Sequence, residues 1–376
     1  AFGRWPAPVR ALTLGTLLLA AILAGGAITA YGGLLLVALL WVLCTGWLWW
    51  LLAYTWRTAF PGEGLRSDPA FLRALLGGAA VGLAVMAGLV FYRRTVYATD
   101  AVNYFAKQNL LFNSFATSGF YGVSNLLENL LTADYKMFMN LFISLPYLFL
   151  PRNLNTFMVC YGLTCFVPMW TALLMLARKA AAAFPGVRRG WYYAACMAAM
   201  VLWPMFLWPA THGLPDAFGL TFAAVILLLG ADLRFETLPP ARLLALFAAT
   251  FALILTRRWY MFWVLAFYLC YAAALLLRAA RRGVFGRVLG NLLKFGIPSV
   301  VLTVAALLPT FRTILTTDYA DIYGAYYGGG FLVNCAAQAG RQGWIWLALC
   351  TAGFAGLLAR PALRGGAAVK SEAKRS

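Results

Sequence analysis

The sequence predicts an all-α protein, a polytopic bundle of about ten transmembrane helices, from three observations. Of its 376 residues, 63% are hydrophobic and only 11% are charged, so the apolar surface exceeds what one water-soluble core can bury. Apolar runs of roughly 20 residues, the length of helix that crosses a hydrocarbon layer about 30 Å thick, recur along the chain. Lys and Arg concentrate in alternate connections between these runs, as in multi-pass membrane proteins.

The apolar runs define the predicted helices, and their even number places both termini on one side of the membrane. These helices cover residues 11–30, 34–56, 74–92, 153–177, 191–210, 217–231, 242–256, 259–277, 295–310 and 344–359. With the N-terminus inside, 21 of the 30 Lys and Arg residues fall in inner segments. The net charge of +19 is therefore interpreted chiefly as a topology signal, with some contacts to anionic membrane lipids, and nucleic acid is not expected as a partner. Residue usage is compatible with a bacterial cytoplasmic (inner) membrane.

This topology divides the chain into three parts. Residues 1–73 form an N-terminal hairpin with an inner loop, residues 74–360 form the main transmembrane domain, and residues 361–376 form a basic inner tail. The start at Ala1 and this tail are compatible with a fragment of a longer protein. The main domain has two long outer loops, 93–152 and 311–343, and loops of this length usually carry function.

The first outer loop is predicted to contain structure of its own. Two of its stretches, AVNYFAKQNLLF and VSNLLENLL, separate apolar from polar residues, and we expect amphipathic helices along the outer membrane surface. Met137 to Leu150 is apolar but short and contains Pro146, which favours a partly inserted or re-entrant segment.

Three negative findings narrow the function. The seven cysteines show no CxxC spacing, so neither a zinc site nor a disulfide framework is expected. No glycine-rich phosphate motif supports nucleotide binding. None of the eleven carboxylates falls at the centre of a predicted helix, whereas an ion-coupled transporter is expected to carry ionisable groups at that depth.

Two outer aspartates are candidate functional residues, each with a structural alternative. Asp100, in YATDAVNYFAKQ, follows the third predicted helix and can act as a general base near the membrane surface, or cap the amphipathic helix after it. Asp216, in THGLPDAFGL, lies on the same side near the only histidine, His212. Pro215 and Asp216 are also explained by turn and capping chemistry.

Arg257 and Arg258 follow a predicted helix of only about 15 residues, too short to span the hydrocarbon layer. The pair is therefore expected slightly below the outer surface, at the depth of a lipid phosphate, which a guanidinium group binds bidentately. Two arginines that extend to the headgroups without further function explain the pattern equally well.

The last outer loop reads TFRTILTTDYADIYGAYYGGGF and combines carboxylates, tyrosines and a glycine run. Asp318, Asp321 and Tyr323 suit the hydrogen bonding and stacking of a sugar, and the glycines suit a loop that reorders on binding. Interfacial tyrosine is also ordinary in membrane proteins.

In their order and common side, these segments resemble the GT-C superfamily of integral membrane glycosyltransferases, which take sugar from a polyprenyl-phosphate donor. TDAVNYFAKQ is similar to the family's first outer loop, GLPDAFGLTFAAVILLLGADL to its short outer turn and Leu-rich helix, and LTRRWYMFWVL to its basic turn near the donor phosphate. TTDYADIYGAYYGG is similar in position to its later outer loop.

The resemblance implies an inverting sugar transfer to a lipid, glycan or protein acceptor at the outer face. Asp100 would be the catalytic base, and Arg257 and Arg258, with Lys136 or Arg312, would bind the donor phosphate. The implied substrate-binding residues are Asp216, His212, Asp318, Asp321, Tyr323 and Tyr104. No cofactor is indicated with certainty, and a divalent cation is left open although the carboxylates are scattered in the sequence.

Two rival functions remain open at this point. A non-enzymatic flippase or exporter of a lipid-linked saccharide would use the same basic groups without chemistry. A polymerase or ligase of lipid-linked glycans would be a related enzyme. A transporter predicts a polar path through the membrane, whereas a GT-C enzyme predicts an outer site that is closed from below.

Overall fold

The described residues are helices joined by short turns, without a β-strand among them, which confirms the predicted all-α class. The computed structural model describes the chain except for residues 1–29, 93–98, 134–135, 182–187, 203–213, 232, 234, 238 and 317–376. The described helices are α1 (Ala30–Ala59), α2 (Pro69–Tyr92), α3 (Thr99–Thr117), α4 (Gly119–Thr132), α5 (Phe138–Phe149), α6 (Leu154–Ala181), α7 (Arg189–Leu202), α8 (Asp216–Ala231), α9 (Pro240–Thr256), α10 (Tyr260–Arg281), α11 (Phe285–Ala306) and α12 (Leu308–Thr316).

Five of these helices, α1, α2, α6, α10 and α11, are long and apolar enough to cross a membrane, and α5, α8 and α9 are shorter apolar helices. They carry no Asp or Glu within the five long spans, as the sequence indicated. The predicted helices at 11–30 and 344–359 fall on residues outside the described part, except for residue 30. The predicted total of ten therefore stays a prediction.

The other predicted helices are present with shifted ends, except that residues 203–210 of the helix predicted at 191–210 lie outside the described part. The helix predicted at 295–310 is divided between α11 and α12. The largest difference is at α11, which begins at Phe285 although the prediction placed its start at residue 295. The prediction placed Arg287 and Lys294 in an inner segment before this helix. In the structure both lie within the helix, since long basic side chains can reach the polar boundary while their backbone remains helical.

The first long loop, 93–152, contains α3, α4 and α5. The two amphipathic stretches lie within α3 and α4, and the hydroxyl of Ser118 between them caps α4 by accepting from the backbone N–H of Tyr121 at 3.1 Å. The apolar stretch predicted to be re-entrant forms α5, and its residues 137–144 are all buried. This segment packs inside the protein, and its depth in a membrane stays a prediction.

Buried polar contacts fix α3 against α5. The side-chain amide of Asn140 on α5 donates to the carbonyl of Tyr104 and to the side chain of Gln108, both at 3.0 Å. The amide of Gln108 donates in turn to the hydroxyl of Ser144 at 3.3 Å. Because such groups are costly to bury without partners, these bonds hold α3, which carries Asp100, in one position.

By internal packing the chain divides into two units, Ala1–Thr313 and Ile314–Ser376. Almost all described residues belong to the first unit, and the second is described only at residues 314–316, the end of α12. The boundaries predicted at residues 73 and 360 stay predictions.

Candidate functional site

Asp100, Arg257 and Asp216 come together at one end of the helix bundle, although Asp100 and Arg257 are 157 residues apart in the chain. The guanidinium Nη2 of Arg257 lies 3.4 Å from Oδ2 of Asp100, and its Nη1 lies 3.7 Å from Oδ1 of Asp216. The side chains of Asp100, Arg257 and Asp216 are 30%, 32% and 33% exposed, respectively. The two carboxylates and the cation between them are therefore open to solutes from one side.

Helix ends position all three charged groups. Asp100 is the second residue of α3 and Asp216 is the first residue of α8, while Arg257 directly follows the last residue of α9. The partial positive charge at a helix N-terminus favours a carboxylate, and the partial negative charge at a C-terminus favours a guanidinium group. Each charge of this group is thus stabilised by the helix that carries it.

Two tyrosines complete the site. The hydroxyl of Tyr260, the first residue of α10, donates to Oδ1 of Asp216 at 2.9 Å, and Tyr104 on α3 is buried close to Arg257. Burial by itself would lower the pKa of Arg257, but Asp216, Tyr104 and Asp100 outweigh that effect and raise it above its ordinary value. The guanidinium group therefore remains charged.

A third tyrosine shapes the turn before Asp216. Tyr161 is fully buried in α6, and its hydroxyl donates to the carbonyl of Leu214. A π-helical turn, Gly162–Phe166, follows it directly, and such turns are often found near functional sites because they reorient neighbouring side chains. The Leu214 carbonyl, two residues before Asp216, is thereby tied to α6.

Neither Tyr260 nor Tyr161 was among the site residues predicted from the sequence. For Tyr260 a signal was available, since it follows Arg257 by three residues in LTRRWY and so begins the helix that follows the two arginines. For Tyr161 the local sequence YGLTCF contains no such signal, because its role depends on a turn that is distant in the chain.

The other described residues predicted to bind phosphate have different surroundings from Arg257. The guanidinium group of Arg258 is buried and lies 5.1 Å from the ring centre of Trp259. Lys136 is fully buried, and its ammonium group donates to the carbonyl of Leu130 at 2.6 Å and to the hydroxyl of Thr310 at 3.0 Å. These contacts join the end of α4 to α12, and the phosphate-binding role of Lys136 stays a prediction.

The remaining predicted residues cannot be placed in this group. Arg312 is exposed on α12. Four further candidates fall outside the described residues: His212, Asp318, Asp321 and Tyr323.

Within the described part of the chain, no three or more His, Cys, Asp or Glu side chains form a group that could hold a metal ion. Asp100 and Asp216 both face the guanidinium group of Arg257. The divalent cation left open by the sequence stays a prediction.

The arrangement offers a fixed positive charge beside two accessible carboxylates. A guanidinium group binds phosphate, and a carboxylate at hydrogen-bond distance from a hydroxyl or amine can accept its proton. No protein-family model matches the chain, and neither a curated protein nor a solved structure matches it. The function therefore has to be proposed from these residues.

Proposed function

We propose that the chain transfers a sugar from a polyprenyl-phosphate-linked donor to a lipid, glycan or protein acceptor, at the outer face of a bacterial cytoplasmic membrane. The observation that carries this proposal is the group of Asp100, Arg257 and Asp216. In it a guanidinium group, which can bind phosphate, lies beside two carboxylates, which can accept a proton. Its position at the ends of apolar helices supports a substrate that is itself partly embedded in lipid.

Arg257 is proposed to bind the donor phosphate. Its distances of 3.4 and 3.7 Å to the two carboxylates exceed the roughly 2.8 Å of a tight charge-assisted hydrogen bond. The guanidinium group is thus held loosely between Asp100 and Asp216. A phosphate can replace one carboxylate without breaking a tight bidentate pair, and it gains two parallel hydrogen bonds.

Asp100 is proposed to accept the proton from the acceptor hydroxyl or amine. The acceptor oxygen or nitrogen attacks the anomeric carbon of the sugar, and the bond from that carbon to the phosphate oxygen breaks. The electron pair of this bond leaves with polyprenyl phosphate, whose charge Arg257 stabilises. Attack from the side opposite the leaving group inverts the anomeric configuration.

The surface of α10 supports a path for the polyprenyl chain. This helix begins beside the site at Tyr260, and its apolar side chains Phe262, Leu265 and Leu269 are each more than half exposed. A polyprenyl chain that lies along them would place its phosphate near Arg257. Asp216 and Tyr260, joined by their hydrogen bond, would then face the sugar.

Two assays on the full-length protein in liposomes test this function. Binding of a short-chain polyprenyl phosphate, the part common to all such donors, is measured first. Release of polyprenyl phosphate from a panel of polyprenyl-phosphate hexoses, with a membrane lipid extract as acceptor, is then followed by mass spectrometry. We expect Asp100→Asn to lower the release rate by about 100- to 10,000-fold, the usual contribution of a general base.

Glu128→Gln is the matched control, because it removes an exposed carboxylate from the neighbouring helix α4. It should leave both assays unchanged. Full release activity in Asp100→Asn would show that Asp100 is not the base. Binding without release by the wild-type protein, together with movement of a fluorescent donor across the bilayer, would instead favour the flippase.

A further inference from the structure

The end of α10, the turn after it and the first half of α11 carry a group of basic residues, which we call the basic turn. Its members are Arg278, Arg281, Arg282, Arg287 and Lys294, and all five are exposed. Residues 278–294 contain no acidic residue, so the segment has five positive charges in 17 positions. Gly283, with φ of 70°, allows the chain to reverse within the turn.

The basic turn lies far from the site described above. Helix α10 has 22 residues and begins at Tyr260, so its two ends are about 30 Å apart at 1.5 Å per residue. That distance is close to the thickness of a hydrocarbon layer. The Asp100 group and the basic turn therefore lie at opposite ends of a helix that is long enough to span it.

The apolar surfaces beside the basic turn are open. Within α10 and α11, most side chains face outward, and next to the arginines these include Leu277, Leu293 and Ile297. Arg278 and Arg281 are three positions apart on α10 and so lie on one face of the helix, and Arg282 directly follows the last residue of α10. Cationic and apolar surfaces are thus continuous at this end.

Within the described part of the chain, Glu236 is a carboxylate that contacts the basic turn. Oε1 of Glu236 lies 3.8 Å from Nη1 of Arg282, whose side chain is still 57% exposed. A pair at this distance and exposure contributes little and is screened by salt. The positive charge of the segment is therefore largely retained.

We propose that the basic turn binds the phosphate of an anionic phospholipid in the leaflet at this end of the protein. Arginine binds phosphate bidentately, and a basic residue near a membrane surface is attracted to anionic lipid. We propose a lipid and not free phosphate because exposed apolar side chains lie beside the arginines, and acyl chains can pack along them. The proposal is independent of the sugar-transfer function.

Native mass spectrometry of the full-length protein in an equimolar mixture of phosphatidylglycerol and phosphatidylcholine tests this proposal. The wild-type protein should retain phosphatidylglycerol preferentially. Arg281→Gln/Arg287→Gln should lower the ratio of retained phosphatidylglycerol to phosphatidylcholine by about tenfold. The control, Arg188→Gln/Arg189→Gln, removes two exposed arginines from the start of α7 and should change the ratio less than about twofold.

Equal losses in the two double variants would overturn the proposal, because the preference would then follow total charge alone. Competition by inorganic phosphate that abolishes lipid retention would show that the ligand is free phosphate. If the Arg281→Gln/Arg287→Gln protein does not fold, the salt dependence of the wild-type protein is the test. Its preference for phosphatidylglycerol over phosphatidylcholine should fall steeply as salt rises from about 0.05 to 0.5 M. A preference that is absent or unaffected by salt would also reject the proposal.

Discussion

Each of two opposite ends of the bundle has an arginine that lies between two carboxylates. In both groups a tyrosine hydroxyl donates to one of the two carboxylates. Arg257 lies between Asp100 and Asp216. Arg178 lies between Glu63 and Asp68, and the hydroxyl of Tyr193 donates to Oδ2 of Asp68 at 3.3 Å. Along α6, Arg178 is 17 residues beyond Tyr161, about 25 Å away from the turn that leads to Asp216.

The two groups differ in access and in packing. The side chain of Arg178 is only 5% exposed, its Nε lies 2.9 Å from Oδ2 of Asp68, and its guanidinium group lies within 4.5 Å of the ring centres of Trp56 and Phe60. The group at Arg257 is about one-third exposed and has longer distances. Similar residue types thus form a closed clamp at one end and an open group at the other.

Replacing the two arginines should affect stability very differently. Arg178→Met leaves Asp68, whose side chain is 7% exposed, without its main cation, and should lower the free energy of unfolding by about 3–5 kcal/mol. Arg257→Met removes a partly exposed arginine and should lower it by only about 1 kcal/mol or less.

Denaturant unfolding of both variants in the same detergent measures this difference. Equal destabilisation would mean that the Arg257 group is also a structural clamp, and the contrast between the two ends would be lost.

Phosphate binding should show the reverse order of effects. Arg257→Gln removes the proposed ligand of the donor phosphate and should weaken binding of a short-chain polyprenyl phosphate by about 10- to 100-fold, the range of one charge-assisted hydrogen-bonding group. Arg257→Lys keeps the charge but not the bidentate geometry, and an intermediate affinity is expected.

Lys107→Gln is a suitable control, since it removes a partly exposed charge from the same helix as Asp100. Titration of each variant in nanodiscs gives the affinities. An unchanged affinity in Arg257→Gln would exclude this arginine as the phosphate ligand.

The long apolar helices could be predicted because each leaves an apolar run in the sequence, and α3 and α4 because their apolar and polar residues are separated. The grouping of Asp100, Asp216 and Arg257 could be predicted only in part. The predicted topology placed the three residues on one side of the membrane, but the distances between them depend on how the helices pack. The clamp at Arg178 was missed. Charged residues at helix ends look alike in a sequence, whether they are buried in a pair or exposed to water.

The buried helix α5 shows a second limit of prediction from the sequence. The stretch that contains it, MFMNLFISLPYLFL, is as apolar as a membrane segment, and its short length together with Pro146 favoured partial insertion. In the structure Asn140 and Ser144 on this helix make buried hydrogen bonds to α3 and within α5, and the indole of Trp41 donates to the carbonyl of Phe142 at 2.7 Å. Which partners such polar groups find depends on contacts with helices distant in the chain.

The smallest effect we predict distinguishes the tyrosines of the two groups. Tyr260→Phe removes the hydroxyl that donates to Asp216 at 2.9 Å, a bond of about 0.5–1.5 kcal/mol. Because this bond orients a carboxylate that faces the proposed sugar, the loss should appear as a fall of up to about tenfold in kcat/KM with little change in stability. Tyr193→Phe removes the hydroxyl that donates to Asp68 at 3.3 Å in the closed clamp, and it should instead lower stability slightly and leave kcat/KM unchanged.

The comparison needs both variants in both assays. If Tyr193→Phe reduced transfer as much as Tyr260→Phe, the effect would have to come from a general loosening of the bundle, and the hydrogen bond at Asp216 would have no separate role.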